Sequence, residues 1–532
     1  MKRQIRSKQN RDFWWRQPFQ WLPLALLLIM PGMVSPKPGL SAEKLLLLAG
    51  PLKLSLSVNS LETFAKTGEI DQELRFYARF AGPEAMAQLR TALQRQFKIN
   101  HVVVSRITYS PLGEDALEQL GEVIQTEAGV NGLHALRGSW ILTARDFPEG
   151  FTLLNLIRAY PTKGIQINAA RLLDVQQLLT AISDYTDAAK IAIDRQSAQE
   201  AAGITADFSR LPDPRRSGAF EVVQQKLLLQ RQTQTIEGRA TERSFYANLY
   251  LPRGKAEPAP LVVVSHGLGS TPAAFGFLGR HMASHGFAVV VPEHVGSGQQ
   301  QFQNLFTGLT NSNVSLTEFV ERPLDVKQVL DRLEELSQGD LKGRLDLNRV
   351  GIMGHSFGGY TALVSAGGTL NLERLSLICP RANRLNLSIG LQCLNQVLPQ
   401  FDVNLLKDPR IKAAIAINPL TSLVFGPEGM ATIKVPTMVI GSSRDLVTPL
   451  VPEQMHPFLW LKTPEKYLGV VVPSGHTAAD ATGGDTNPLP DSIAATISGP
   501  APALAREYIR ALSLVFMQTY IGDRPEYRSY LN

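Results

Sequence analysis

At 532 residues the chain is long enough for two folded units, and a composition of 44% hydrophobic and 19% charged residues excludes a disordered protein. Residues 1–42 hold seven Lys or Arg and one Asp, so this segment accounts for the entire formal charge of +6 and leaves the remainder neutral, with no basic surface for nucleic acid. The two cysteines, Cys379 and Cys393, have no histidine partner at metal-ligand spacing, so neither a metal framework nor a metal cofactor is expected.

Taken in chain order, residues 1–42 have the layout of a signal peptide: a cationic start, an apolar core over 21–34, and small residues at Gly39-Leu40-Ser41-Ala42. Pro23 and Pro31 interrupt the core, which falls short of the roughly 20 residues a spanning helix requires. Export to the periplasm or medium is the expectation. An uncleaved anchor, with association at a membrane surface, is the alternative.

Residues 43–205 read as a smaller, mostly helical domain. Short strands are expected at 44–48 and 52–58 around Gly50-Pro51, then a helix capped by Asn59 with Glu62 three residues on. Leu74, Tyr77 and Phe80 fall on one helical face, and so do Leu89, Leu93 and Phe97. Further helices are expected at 116–124, 153–158 and 169–182, with a polar, helix-prone stretch over 184–201. No catalytic constellation occurs here, and neither a role nor a protein partner can be assigned to this part. Residues 206–219, with Pro212 and Pro214, read as a linker.

The pattern changes from residue 220 to the end. Antiparallel strands at 220–232 and 244–251 precede continuous apolar runs at 261–265, 287–292, 411–417, 437–440 and 468–472, separated by helical stretches at 271–285, 324–336 and from 361. Strand alternating with helix gives the fold class α/β, a mostly parallel central sheet with helices on both faces. Two insertions stand out: 299–315, with Phe302, Leu305 and Phe306, and 367–407, which contains both cysteines. Each reads either as surface elaboration or as part of an apolar, substrate-binding lid, with Phe302 and Phe306 the candidate lining residues. The cysteines could form a disulfide or remain two buried thiols.

The chemistry centres on Gly354-His355-Ser356-Phe357-Gly358. A strand-like run precedes it and a helical stretch follows, so Ser356 sits at a strand-to-helix turn that exposes a nucleophile. A serine hydroxyl needs a histidine base oriented by a carboxylate, and on such sheets the order along the chain is serine, acid, histidine. Only His456 and His476 lie beyond Ser356, and only His476 directly follows a strand. Asp445 ends the loop after the strand at 437–440, whereas Asp402 and Asp408 precede a strand. The expected triad is Ser356, Asp445 and His476, with a turn or cap role the alternative for Asp445. Oxyanion donors are expected at the backbone of Phe357 and, in the loop Ser265-His266-Gly267-Leu268-Gly269, of Leu268. His281 and His285 lack the adjacent Glu of a zinc motif and read as packing residues.

With these motifs in hand, Leu261-Val-Val-Val-Ser-His-Gly-Leu-Gly269, Ala283-Ser-His-Gly-Phe287, Pro292-Glu-His294 and Gly354-His-Ser-Phe-Gly-Gly359 resemble the platelet-activating-factor acetylhydrolases and related dienelactone-hydrolase-like or cutinase-like serine esterases. The likeness spans about 220–480, and residues 43–200 resemble the uncharacterised domain preceding such hydrolases in cyanobacteria. It implies an α/β-hydrolase fold and a hydrolase for small-molecule or lipid esters without a cofactor. One departure matters: the acetylhydrolases carry their acid where this chain has Asn418, which moves the acid role to Asp445 and weakens the case for phospholipid specificity. The rival functions are a peptidase or amidase on the same fold and a non-catalytic binding protein.

Overall fold

The computed structural model describes residues 41–531 apart from 50–51, 148–149, 205, 235–237, 312–313, 316, 383–385, 395–401 and 482–490. The leader and the Gly50-Pro51 turn therefore lie outside the described residues.

The N-terminal part contains more sheet than expected. Strands β1 (Lys44–Ala49), β2 (Leu52–Ser57), β4 (Ile124–Thr126) and β6 (Gly164–Asn168) form a four-stranded sheet in the order β2-β1-β6-β4, and β3 (Gln96–Phe97) pairs with β5 (Phe151–Thr152). Around them lie α1 (Val58–Thr67), α2 (Gln72–Gln94), α3 (His101–Thr108), α4 (Pro111–Val123), α5 (Leu133–Asp146), α6 (Leu153–Arg158) and α7 (Ala169–Ala202). Helix α1 is capped two residues earlier than expected: Ser57, not Asn59, is the cap and accepts the Ser60 N–H. The shared faces hold only in part. Leu74 is buried while Phe80 is 81% exposed, Gly82 has φ 77 ahead of Pro83 and kinks α2 just beyond them, and Phe97 belongs to a strand. The stretches 169–182 and 184–201 are one helix.

The central strands of the larger sheet are runs whose side chains are buried on both faces. Strands β7 (Val222–Gln234), β8 (Ala240–Pro252), β9 (Ala259–Ser265), β10 (Ala288–Pro292), β11 (Leu345–His355), β12 (Ile411–Ile417), β13 (Thr437–Ser442) and β14 (Lys466–Val471) lie in the order β14-β13-β12-β11-β9-β10-β8-β7. The six strands from β9 onward are parallel, and the β7–β8 hairpin joins antiparallel to β10. Alternate residues divide between two cores. Val262, Val264, Val289 and Val291 pack against α8 (Gly276–Ser284) and the helix Pro502–Tyr520. Leu261, Val263, Val290 and Ile352 pack under helices on the other face, α10 (Glu318–Gln338) and α11 (Phe357–Ser365), which follow α9 (Gln299–Thr307) in the chain. This is the mostly parallel, doubly covered sheet expected.

From Ser41 onward the chain forms a single compact unit. Helix α3 contacts α9, and α4 contacts α13 (Leu387–Cys393), which follows α12 (Leu372–Ile378) in the second insertion. Leu112 of α4 packs in the same apolar cluster as Leu391 and Cys393. The 206–219 segment is bound along its length: His281 holds the Pro214 carbonyl at 3.0 Å, His285 the Arg216 carbonyl at 2.9 Å, Arg510 the Arg215 carbonyl at 2.9 Å, and Tyr530 the Pro212 carbonyl at 3.1 Å. The two histidines thus pack the linker. Among the described residues no cluster of His, Cys, Asp or Glu has the arrangement to hold a metal, and no helix is long and apolar enough to cross a membrane.

Candidate active site

Five parallel strands deliver the site at their carboxyl ends. Strand β11 ends at His355 and α11 begins at Phe357, which leaves Ser356 alone at the turn with φ 57 and ψ −120, a region a non-glycine residue enters only under strain. The flanking glycines are required by close approach. A Cβ on Gly354 would stand 2.0 Å from the Gly358 carbonyl oxygen, and one on Gly358 would stand 2.0 Å from that of Ser265. Backbone packs directly on backbone here, so the turn is held from both sides.

Beyond β14, His476 opens a short 3-10 turn, and beyond β13 Asp445 ends the loop from Ser442. The Ser356 hydroxyl lies 2.9 Å from His476 Nε2, and His476 Nδ1 lies 2.7 Å from Asp445 Oδ2. The Asp445 carboxylate also accepts the Val447 N–H at 2.8 Å, the Thr448 N–H at 2.7 Å and the Thr448 hydroxyl at 2.8 Å. These bonds fix the carboxylate's position, and with the Nδ1–H of His476 donated to it, Nε2 is left to accept from serine.

The main chain of His476 is gripped separately. His355 Nε2–H and Asn418 Nδ2 donate to its carbonyl oxygen at 2.8 and 3.0 Å. Burial, then the neighbouring His476, push the His355 pKa down to about 4, so it stays neutral. Asn418 itself has φ 45, at the end of β12 where the resemblance would place an acid. Its amide touches the histidine's carbonyl rather than its ring.

On the other side of Ser356, the loop after β9 closes in. A Cβ on Gly267 would lie 3.4 Å from Ser356 Cβ, and one on Gly269, at φ 74, would lie 3.2 Å from the Phe302 ring. Among the described residues neither the Leu268 nor the Phe357 N–H has an acceptor. Phe302 and Phe306 lie edge to face 6.3 Å apart on α9, so the first insertion adjoins the loop. In the second, Cys379 and Cys393 are joined by a disulfide, which resolves the two alternatives for them, and Gln392 Oε1 accepts the Leu423 and Val424 N–H groups. Of the residues set aside, His456 begins a helix away from the serine, Asp402 caps a 3-10 turn, and Asp408 binds Arg410.

Beneath the loop lies a charged cluster that sequence reading missed. Arg231, Arg243 and Arg322 meet Glu318, Glu321 and Asp325 of α10, with Arg243 bidentate on Asp325 at 2.9 and 2.8 Å. Burial drives His266 and His294 well below the usual histidine range and raises Glu293 to about 7. Nothing in local sequence marks these groups, because they converge from the β7–β8 hairpin, two loops and a helix.

Three family models match parts of the chain: "Alpha/beta hydrolase of unknown function (DUF1400)" over residues 41–168, "Platelet-activating factor acetylhydrolase, isoform II" over 197–304, and "Serine aminopeptidase, S33" over 256–411. Among curated proteins, the platelet-activating factor acetylhydrolase of Cavia porcellus is 28% identical over 142 residues, 21% of this chain and 33% of the relative. Cutinase 2 of Thermobifida cellulosilytica and cutinase cut1 of Thermobifida fusca are each 24% identical over 203 residues, 38% of this chain and 54% and 44% of theirs. The chain thus spans about a third to a half of the length of these relatives.

Proposed function

We propose that this α/β hydrolase, similar to the platelet-activating-factor acetylhydrolases, is a serine esterase that cleaves carboxylic esters of apolar or lipid-like acyl groups through an acyl-enzyme. The observation that carries the reading is the hydrogen-bonded chain from Ser356 through His476 to Asp445, with the N–H groups of Leu268 and Phe357 lacking an acceptor among the described residues. Ser356 Oγ attacks the acyl carbon as its proton passes to His476 Nε2, and the resulting oxyanion takes hydrogen bonds from the Leu268 and Phe357 amides. His476 then protonates the departing alcohol oxygen, and a water activated by the same nitrogen releases the acid and restores the serine. Asp445 orients the ring and stabilises the imidazolium that forms.

Phe302 and Phe306 of α9, beside the Leu268 loop, support an apolar acyl site, and the disulfide-tied second insertion supports a lid over it. Deleting 370–405 would then change the acyl-length preference, and an unchanged preference defeats the lid. The disulfide and the leader pattern together support export to the periplasm or medium, which cell fractionation of the full chain checks. The serine aminopeptidase match favours one second reading, a peptidase or amidase using the same triad. Chromogenic esters of increasing acyl length, assayed beside peptide anilides with Ser356→Ala as control, separate the two. Ester turnover that disappears in the alanine variant supports the esterase; turnover of anilides alone refutes it.

A further inference from the structure

The fully buried Arg322, on α10, aims its guanidinium at two loops, the one after β9 and the one after β10. Nε donates to the Ser297 hydroxyl at 2.8 Å, Nη1 to the His266 carbonyl at 2.6 Å, and Nη2 to the Gly267 carbonyl at the longer distance of 3.4 Å. The guanidinium carbon stands 4.4 Å from the centre of the Phe357 ring, and Glu318 lies 3.6 Å from Nε. One side chain therefore touches both residues whose amides flank Ser356: the Gly267–Leu268 peptide through its oxygen, and Phe357 through its ring.

The Gly267 carbonyl has two further donors. His266 Nε2 accepts the His294 N–H at 3.1 Å, which leaves the proton of this neutral imidazole on Nδ1, where it donates to Gly267 O at 2.8 Å; the Ser270 N–H adds a third bond at 3.3 Å. The Gly267–Leu268 bond is trans, and in a planar trans peptide the N–H points opposite to the C=O. Pinning the Gly267 oxygen toward Arg322 and His266 thus turns the Leu268 N–H away from them. The Leu268 N–H has no acceptor among the described residues, and the Gly267 Cα faces Ser356 closely enough that an added Cβ would lie 3.4 Å from Ser356 Cβ.

We infer that Arg322 is a positioning residue for the oxyanion site: by holding the His266 and Gly267 carbonyls it fixes the direction of the Leu268 N–H, and by stacking on Phe357 it fixes the second donor relative to the first. The inference rests on the serine-hydrolase reading. Two donors aligned before the reaction stabilise the developing anion without reorganisation, and loss of one whole donor typically lowers kcat by about 100- to 1,000-fold. Arg322→Lys keeps a cation beside Glu318 but cannot span both carbonyls. Misdirecting rather than deleting the donor leads us to expect a fall in kcat of about 10- to 100-fold.

The test compares Arg322→Lys with wild-type full-length protein on a short chromogenic ester, together with inhibition by phenylboronic acid, which adds to Ser356 as a tetrahedral anion. Expected are a fall in kcat of at least tenfold, KM within twofold, boronate affinity weakened by the same factor as kcat, and an unchanged pH profile. An unchanged kcat and boronate affinity, or a rise in KM alone, overturns the proposal. Should Arg322→Lys fail to fold, Ser297→Ala, which removes only the hydroxyl acceptor of Nε, decides instead: a fall of about three- to tenfold in both kcat and boronate affinity with KM unchanged supports the proposal, and no change in either overturns it. A wild-type protein inert to esters, anilides and a fluorophosphonate label overturns the serine-hydrolase reading itself, and the positioning role with it.

Discussion

Replacing Asp445 by Asn tests the proposed mechanism at its most constrained point. The amide oxygen of an asparagine can still accept the Val447 and Thr448 N–H groups, now at 2.8 and 2.7 Å, so the loop keeps its support. Its NH2 group falls where Oδ2 meets the Thr448 hydroxyl and His476 Nδ1 at 2.8 and 2.7 Å. Facing a donor, Nδ1 must become an acceptor, which moves the ring proton to Nε2. The hydroxyl of Ser356, 2.9 Å away, then meets an N–H and has no base. Such a reversal costs about 10,000-fold in kcat, about 5–6 kcal/mol of transition-state stabilisation. Asp445→Ala differs in kind: it strips the acceptor from two buried N–H groups, about 1–3 kcal/mol of stability each, besides losing activity. Ester turnover and thermal melting of both variants separate the effects. Activity above a tenth of wild type in Asp445→Asn, or a loss confined to KM, would refute Asp445 as the acid.

Three further outcomes are expected. Asn418→Asp should lower activity by about tenfold and melt earlier, because a buried carboxylate would face the His476 carbonyl in place of a donor. In the Asp445→Asn background it should not restore turnover; restoration would mean that residue 418 reaches the ring. Cys379→Ser with Cys393→Ser should lower stability by about 3 kcal/mol, the cost of freeing a loop of separation 14, read by denaturant melts beside the reduced wild type. Acid should unfold the protein. His266, His281, His294 and His355 all have folded pKa values depressed by burial below 6.5, His281 to about 3 and His355 to about 4, so their stability contribution is present above 6.5 and lost as pH falls toward 4. Glu293, raised to about 7, works in the opposite sense between 4.5 and 7. Four histidines against one carboxylate leave the balance on the side of stability falling as pH drops from 7 to 5. Melting temperatures that stay flat from pH 7 to pH 5 would contradict it.

How far the sequence could be read depended on how local the cause was. Strand β12 begins and ends where its apolar run does, because a strand buried on both faces leaves no alternation to misjudge. Ser356, Asp445 and His476 were legible because each follows an apolar run, and chain order removes most competitors. Strands β4 and β6 were not, being three and five residues long and paired with partners far along the chain. Phe80 was misplaced because three-residue steps fall short of a full helical turn, so two of them carry the side chain about 120° round from Leu74. The roles of Asn418, His355 and Arg322 are contacts to backbone oxygens, which any sequence provides, so no motif announces them.

The segment around 212–216 has a mechanical consequence. A Pro-rich stretch between two folded parts would ordinarily act as a pivot, yet here its carbonyls are held by His281 of α8 and His285 just past its end, by Arg510, and by Tyr530. It behaves as a seam sewn from three directions. Any opening of the molecule must find its joint elsewhere, and clipping the last few residues, remote from Ser356 in sequence, would be the simplest way to loosen the stitching.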